Sequence, residues 1–263
     1  MILNETLNNG ITIEYSDHGE GEAILLLHGL GSTKADWNDQ IAALAEKHRV
    51  IAPDFRGHGN STKPKSKKEY GVGLCAEDMK LLLQELKITQ CIIVGFSMGG
   101  AVAFEMAVKY PSLLSKMVIV NTAPDFNKLG WLGKKMVLER TLSLKFSGME
   151  PLARKVARGM FPEENQMELR AAFYKRAIAN DVNAYYHSFR SLMRWGIGDE
   201  IRNIKIPTLV IASELDYTPV SLKESYAEKM QNAKVVVIEN SRHGVTMDQP
   251  EVFNKTILKF TDS

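Results

Sequence analysis

The chain has 263 residues, 44% of them hydrophobic, and its 33 basic and 31 acidic side chains leave a formal charge of +2. That length and apolar content supply the core of one large α/β domain or two small ones. The near-neutral balance excludes a strong global field for nucleic acid or an anionic membrane surface, so any charge-based partner preference must come from local patches.

Short β-branched runs alternate with longer segments of helical period. "AILLLHG" (23–29) precedes a helix near Asp36 to Lys47, "RVIAPD" (49–54) precedes a helix near Val72 to Leu86, and "CIIVGFS" (91–97) follows. This alternation predicts βαβ units and a mostly parallel sheet. A helix after Ser97 runs to about Lys109 and stops before Pro111, because proline disfavours helical backbone in the residue before it. "KMVIVNTA" (116–123) is the next strand. From Pro124 to Arg202 the strand signal vanishes in favour of helical segments rich in Met, aromatic and basic residues. "IPTLVIAS" (206–213), a helix near Val220 to Met230, "AKVVVIE" (233–239) and a helix near Glu251 to Phe260 resume the earlier rhythm. The expected organisation is a core built from 1–123 and 203–263, carrying a helical cap over 124–202.

The apolar runs fall far short of the roughly 18 residues that cross a membrane, and "MILNETLNNG" has no basic region followed by an apolar one. The expectation is a soluble cytoplasmic protein. Cys75 and Cys91 make at most one bridge and show no metal-ligand spacing, which predicts free thiols and no metal.

In open parallel sheets, sites form beyond the carboxyl ends of strands. Gly95-Phe96-Ser97-Met98-Gly99 fits G-x-S-x-G between a strand and a helix. A sharp turn there points a serine hydroxyl outward, and the flanking glycines let strand and helix pass closely. "HGLGS" (28–32) follows the first buried strand, so the N–H groups of Leu30 and Met98 are candidate oxyanion donors. It fits neither G-x-G-x-x-G nor G-x-x-x-x-G-K-[ST], the phosphate-binding patterns. Asp216 in "SELDYTP" follows a late strand, where a carboxylate orients a histidine; Asp125 is the fallback acid. His243 in "NSRHGVTMDQP" lies in a loop at the same sheet edge, where a general base must lie. His28 and His58, in glycine-rich loops, are expected to hold loop geometry.

With Ser97, Asp216 and His243 in that order, the chain resembles the α/β-hydrolase fold superfamily, whose triad runs nucleophile, acid, histidine. "LLHGLG", "APDFRGHGNS", "VGFSMGGAVAFEMAVKYP", "IPTLVIASELDYTPV" and "HGVTMDQPEVF" each resemble a family landmark, over nearly the whole chain. The resemblance implies an eight-stranded, mostly parallel sheet flanked by helices, one antiparallel strand near the N-terminus, a cap inserted after the sixth strand, and no cofactor. Haloalkane dehalogenases and epoxide hydrolases place an aspartate where Ser97 stands, which argues against those activities. Among serine members the chain is similar to small carboxylesterases, 3-oxoadipate enol-lactonases, carbon–carbon bond hydrolases and pimeloyl-carrier-protein methyl esterases. The shared landmarks encode machinery and do not separate these.

Substrate choice falls to the cap. Its Trp131, Phe146, Met149, Phe161 and Phe189 are candidates for an apolar acyl pocket, with Met160, Phe173, Tyr185 and Trp195 in the same group. Between Asp125 and Met160 eight basic residues face three acidic ones, and Arg140, Arg154 and Arg158 are candidate contacts for an acidic partner such as an acyl carrier protein. The expected activity is hydrolysis of a small-molecule carboxylic ester with a small to medium apolar acyl group, by a monomer or homodimer. A ligand sensor on the same fold is the non-enzymatic alternative.

Overall fold

The unbroken apolar runs form strands whose side chains still divide by period two, because helices cover both faces of the sheet. The structure, a computed structural model, describes residues 1–262. Among them the strands are β1 (Ile2–Thr6), β2 (Thr12–His18), β3 (Ala23–Leu27), β4 (Arg49–Pro53), β5 (Cys91–Phe96), β6 (Leu114–Val120), β7 (Thr208–Ser213) and β8 (Ala233–Ile238). They make one eight-stranded sheet in the order β1-β2-β4-β3-β5-β6-β7-β8. β2 is antiparallel to both β1 and β4, and every pairing from β4 through β8 is parallel.

Helices α1 (Asn38–Leu44), α2 (Val72–Glu85), α3 (Met98–Lys109), α8 (Val220–Ala227) and α10 (Pro250–Thr261) flank the sheet. Leu25, Ile93, Ile119 and Val210 pack on one face against Met79 and Leu82 of α2, Phe104 of α3 and Tyr226 of α8. Ile24, Ile92, Val94 and Val118 pack on the other against Trp37, Leu44 of α1, and Phe253 and Ile257 of α10. Each such buried side chain contributes about 1.5–3 kcal/mol. Cys75 and Cys91 are free and buried, and burial pushes both thiols up to about 12.

Several boundaries differ from those expected, α8 among them, which stops at Ala227 rather than Met230. The expected helix from Asp36 to Lys47 splits into a 3-10 turn at Lys34–Trp37 and the shorter α1. β6 starts earlier and ends at Val120, because Asn121 turns to φ 46° and spends its side chain on β7 rather than extending the ladder.

Between β6 and β7 lie α4 (Gly130–Ser147), α5 (Met149–Met160), α6 (Met167–Ile178) and α7 (Val182–Leu192). Leu144, Met149, Leu152, Tyr185, Phe189 and Met193 form a core of their own. α5 is cleanly two-faced, with Leu152, Ala153, Ala157 and Met160 buried and Arg154, Lys155 and Arg158 exposed. Polar links hold these helices to the rest of the chain, among them Trp195 Nε1 donating to Glu105 of α3 at 2.7 Å, Asn180 Nδ2 to the Gly31 carbonyl at 2.8 Å, and Arg176 paired with Asp36 at 2.6 Å. No helix among the described residues is long and apolar enough to cross a membrane.

Candidate active site

Ser97 leaves the centre of the sheet at the end of β5, between β3 and β6, and caps α3 with φ 53° and ψ −114°. A non-glycine residue in the left-handed region stores about 1–3 kcal/mol and persists only where its surroundings enforce it. Here the enforcement is close packing. A Cβ at Gly95 would stand 2.7 Å from the Gly100 nitrogen, and one at Gly99 would collide with the Leu27 carbonyl oxygen. The Ser97 N–H donates to the Val120 carbonyl at 2.9 Å, tying the turn to β6. As the first residue of α3, Met98 has an N–H without an intrahelical acceptor.

His243 follows β8 and precedes α9 (Val245–Asp248). Its Nδ1 lies 2.6 Å from Asp216 Oδ1, and its ring packs against those of Phe96 and Tyr217, with centroid separations of 5.0 and 4.6 Å. Burial pushes the Asp216 carboxyl up, but hydrogen bonds and charge from His243 and Lys223 outweigh that and hold it below the usual carboxylate range. An ionised carboxylate only accepts, so in the neutral imidazole it is Nδ1 that carries the proton and Nε2 that presents the lone pair. Among the described residues, the Ser97 hydroxyl has no hydrogen-bond partner.

Two residues that the sequence reading passed over complete this corner. Lys223, 0% exposed on α8, gives its Nζ to Asp216 Oδ2 at 2.5 Å and to the Thr218 hydroxyl and carbonyl, both at 2.6 Å. Asn121 accepts from the Ser213 N–H at 2.8 Å and donates to the His243 carbonyl at 3.0 Å, fixing the histidine loop to β7. Asn121 fell inside the run expected to be a strand, and its place just beyond the strand end emerges only with β6 stopping at Val120; a buried lysine leaves no sequence signal.

Ser97, Asp216 and His243 line one cavity of about 200 Å³ with Gly29, Leu30, Phe96, Asn121 and Tyr217. That volume is below the roughly 300–1,000 Å³ of sites for drug-sized ligands, which suits a small substrate. The loop of Gly29 and Leu30 is held from beneath by His28, fully buried, whose Nδ1 donates to the Gly29 carbonyl at 2.7 Å while Nε2 accepts from the Phe55 N–H at 3.1 Å. Burial lowers the imidazole pKa of His28, and that of His58 beside it to about 3. Both are neutral scaffolding.

Several residues of the helical segment stand elsewhere than expected. Phe189 lines the cavity, as do Met160, Phe173 and Tyr185. Trp131 and Phe146, each 74% exposed, lie with Leu138 and Leu142 on the outer face of α4, away from the cavity. Met149 is buried in the core of the helical segment, and Phe161 packs on Phe173 and over Gly244; neither lines the cavity. Trp195 is engaged by Glu105. Arg140 is not on the outer surface with Arg154 and Arg158: it lies on the inward face of α4, with Gly133 and Leu144, and lines the cavity. Arg154 is exposed and paired with Glu150 at 2.8 Å. Asp125, the fallback acid, bonds the Gly198 N–H and Lys128, both at 2.8 Å, at the base of the helical segment. Among the described residues, no three His, Cys, Asp or Glu side chains are grouped to hold a metal.

A serine on a strained turn, a histidine with a free Nε2, a buried carboxylate and a neighbouring N–H loop form an arrangement suited to acyl transfer. Comparison with known proteins agrees at the level of family. The crystal structure of an enol-lactonase from Burkholderia xenovorans superimposes with a TM-score of 0.92 at 25% identity, over 99% of this chain and 100% of that one. A 3-oxoadipate enol-lactonase of Acinetobacter baylyi is 26% identical over 94% of this chain and 92% of its own. A thermophilic esterase from Thermogutta terrifontis, 23% identical with a TM-score of 0.89 over 100% of this chain and 98% of its own, shares the fold. The family model for the alpha/beta hydrolase fold matches residues 22–250. The chain belongs to the alpha/beta hydrolase fold family.

Proposed function

We propose that the protein is a serine hydrolase of carboxylic esters or lactones with a small to medium, largely apolar acyl part. The observation that carries this reading is the cavity that holds Ser97 on its strained turn with His243, whose Nδ1 is taken by a carboxylate. His243 Nε2 takes the Ser97 proton as Oγ bonds to the carbonyl carbon, and the N–H groups of Leu30 and Met98 hold the oxyanion. Collapse breaks the bond to the leaving alkoxide, which receives the proton from His243. Water then adds to the acyl-enzyme with His243 as base, and the carboxylic acid leaves with Ser97 restored. Nucleophile–base contacts in unliganded hydrolases commonly tighten only when substrate binds, which fits the unpartnered Ser97 hydroxyl.

The test is hydrolysis of p-nitrophenyl acetate and butyrate by wild type and Ser97→Ala. The reading expects a loss in kcat on the order of 10³ or more, since removing such a nucleophile has cost about 10⁶ in a related triad. Equal rates would refute it. Slow single-turnover hydrolysis coupled to ligand-induced loosening of the helical segment would instead indicate a ligand sensor. One observation favours a second substrate reading: Arg154, Lys155 and Arg158 are exposed together on α5 and suit an acidic acyl carrier delivering a methyl ester. In that case Arg154→Glu/Arg158→Glu weakens carrier-ester hydrolysis while sparing p-nitrophenyl esters.

A further inference from the structure

The reaction at Ser97 calls for an apolar chamber, a base and two N–H donors, and it leaves Arg140 in the chamber wall without a task. Arg140 stands where the cavity meets a second depression of about 440 Å³ between α4 and α5, the two sharing Arg140, Val156 and Tyr217. Its guanidinium lies 4.3 Å from the Phe189 ring centroid, and Nη1 donates to the Tyr185 hydroxyl at 2.7 Å. Arg49, Arg56 and Arg176 each have a carboxylate partner, Asp17, Asp78 and Asp36. Among the described residues, none pairs with Arg140.

The charge count makes the vacancy significant. The other charged residue in the cavity wall, Asp216, is already balanced by Lys223 behind it. In the adjoining depression the one acid, Glu139, is paired with Lys135 at 3.8 Å and not with Arg140. The chamber therefore carries one uncompensated positive charge among apolar walls, where water screens it poorly and an anion is favoured. Burial pushes the Tyr185 phenol up, so it stays protonated; accepting from Arg140 leaves its O–H proton to give. A guanidinium fork with a hydroxyl beside it matches a carboxylate.

We propose that the substrate bears a carboxylate, held by Arg140 and Tyr185 while its ester or lactone carbonyl lies at Ser97. Half-esters of short dicarboxylic acids, and lactones with an acid side chain, are the corresponding class. Val156, Met160 and Phe173 face the methylenes between the two ends. This rests on the hydrolase reading and narrows it.

The experiment compares kcat/KM for monomethyl glutarate and monomethyl adipate with that for the neutral methyl pentanoate and methyl hexanoate, in wild type and Arg140→Met. Wild type is expected to prefer the acid esters at least tenfold, and the variant to lose that preference; the ratio is independent of how much protein is folded. Equal use of acid and neutral esters by wild type, or a preference that survives in the variant, overturns the proposal. Calorimetric binding of monomethyl adipate to Ser97→Ala and to Ser97→Ala/Arg140→Met separates the two readings. Binding that requires Arg140, in a protein that turns over neither ester class, supports the carboxylate site and overturns hydrolysis. Neutral-ester turnover without preference, and binding indifferent to Arg140, does the reverse.

Discussion

Replacing Lys223 with Met keeps the volume of a fully buried aliphatic chain and removes its charge and three hydrogen bonds to Asp216 and Thr218. Removing one partner of a buried ion pair costs about 3–5 kcal/mol, because the other charge is left behind. Asp216 retains His243 at 2.6 Å and the Thr218 hydroxyl at 2.8 Å, which places the loss at the lower end, about 3 kcal/mol. For a domain near this size, 1 kcal/mol moves Tm by about 2–4 °C, so Lys223→Met should melt about 6–12 °C below wild type. The urea midpoint should fall with an unchanged m-value. Ester hydrolysis measured well below the variant's Tm should fall far less than in Asp216→Asn, which disturbs the acceptor of His243 Nδ1. The double variant Asp216→Asn/Lys223→Met should be less destabilised than the sum of the singles, since the pair disappears together. A Lys223→Met stability within about 0.5 kcal/mol of wild type, the typical range for surface changes, would refute the reasoning.

Stability should also depend on pH through the buried histidines. His58, depressed to about 3 chiefly by burial, cannot take the proton that the unfolded chain accepts near 6.5, so its full contribution is present above pH 6.5 and drains away as pH falls toward 3. At pH 5 the loss from His58 alone is about 2 kcal/mol, and a urea midpoint that did not move between pH 7.5 and 5 would contradict it. Gly99→Ala, which drives a methyl into the Leu27 carbonyl, should leave little folded protein by circular dichroism. Gly10→Ala, with open space but φ 82°, should cost only about 1 kcal/mol in urea titration. Asn121→Ala cuts the link from β7 to the His243 carbonyl and should lower kcat more than it raises KM in a p-nitrophenyl butyrate assay, with about 1–3 kcal/mol lost in stability.

The sheet was legible because β-branched runs between helical periods have few other readings, and because burial on both faces turns "CIIV" into one continuous apolar word. β1 and β2 were anticipated only through the resemblance to a known family. In the helical segment the residue types were read well and their directions poorly. Burial statistics place Trp131 and Phe146 inside and Arg140 outside. The packing reverses all three, since α4 turns Gly133, Arg140 and Leu144 inward and leaves Trp131, Leu138, Leu142 and Phe146 on its outer face. Lys223 escaped for the same reason, as a lysine seven residues after an aspartate reads as solvated surface until α8 is seen to point it at Asp216.

The proposed hydrolysis requires a covalent acyl-enzyme at Ser97. Wild type mixed with p-nitrophenyl butyrate, quenched in acid within milliseconds and weighed intact, should gain one butyryl group, mapped by peptide sequencing to Ser97 and absent from Ser97→Ala. Hydrolysis by wild type with no adduct on Ser97 under burst conditions, or an equal adduct on the alanine variant, would contradict it.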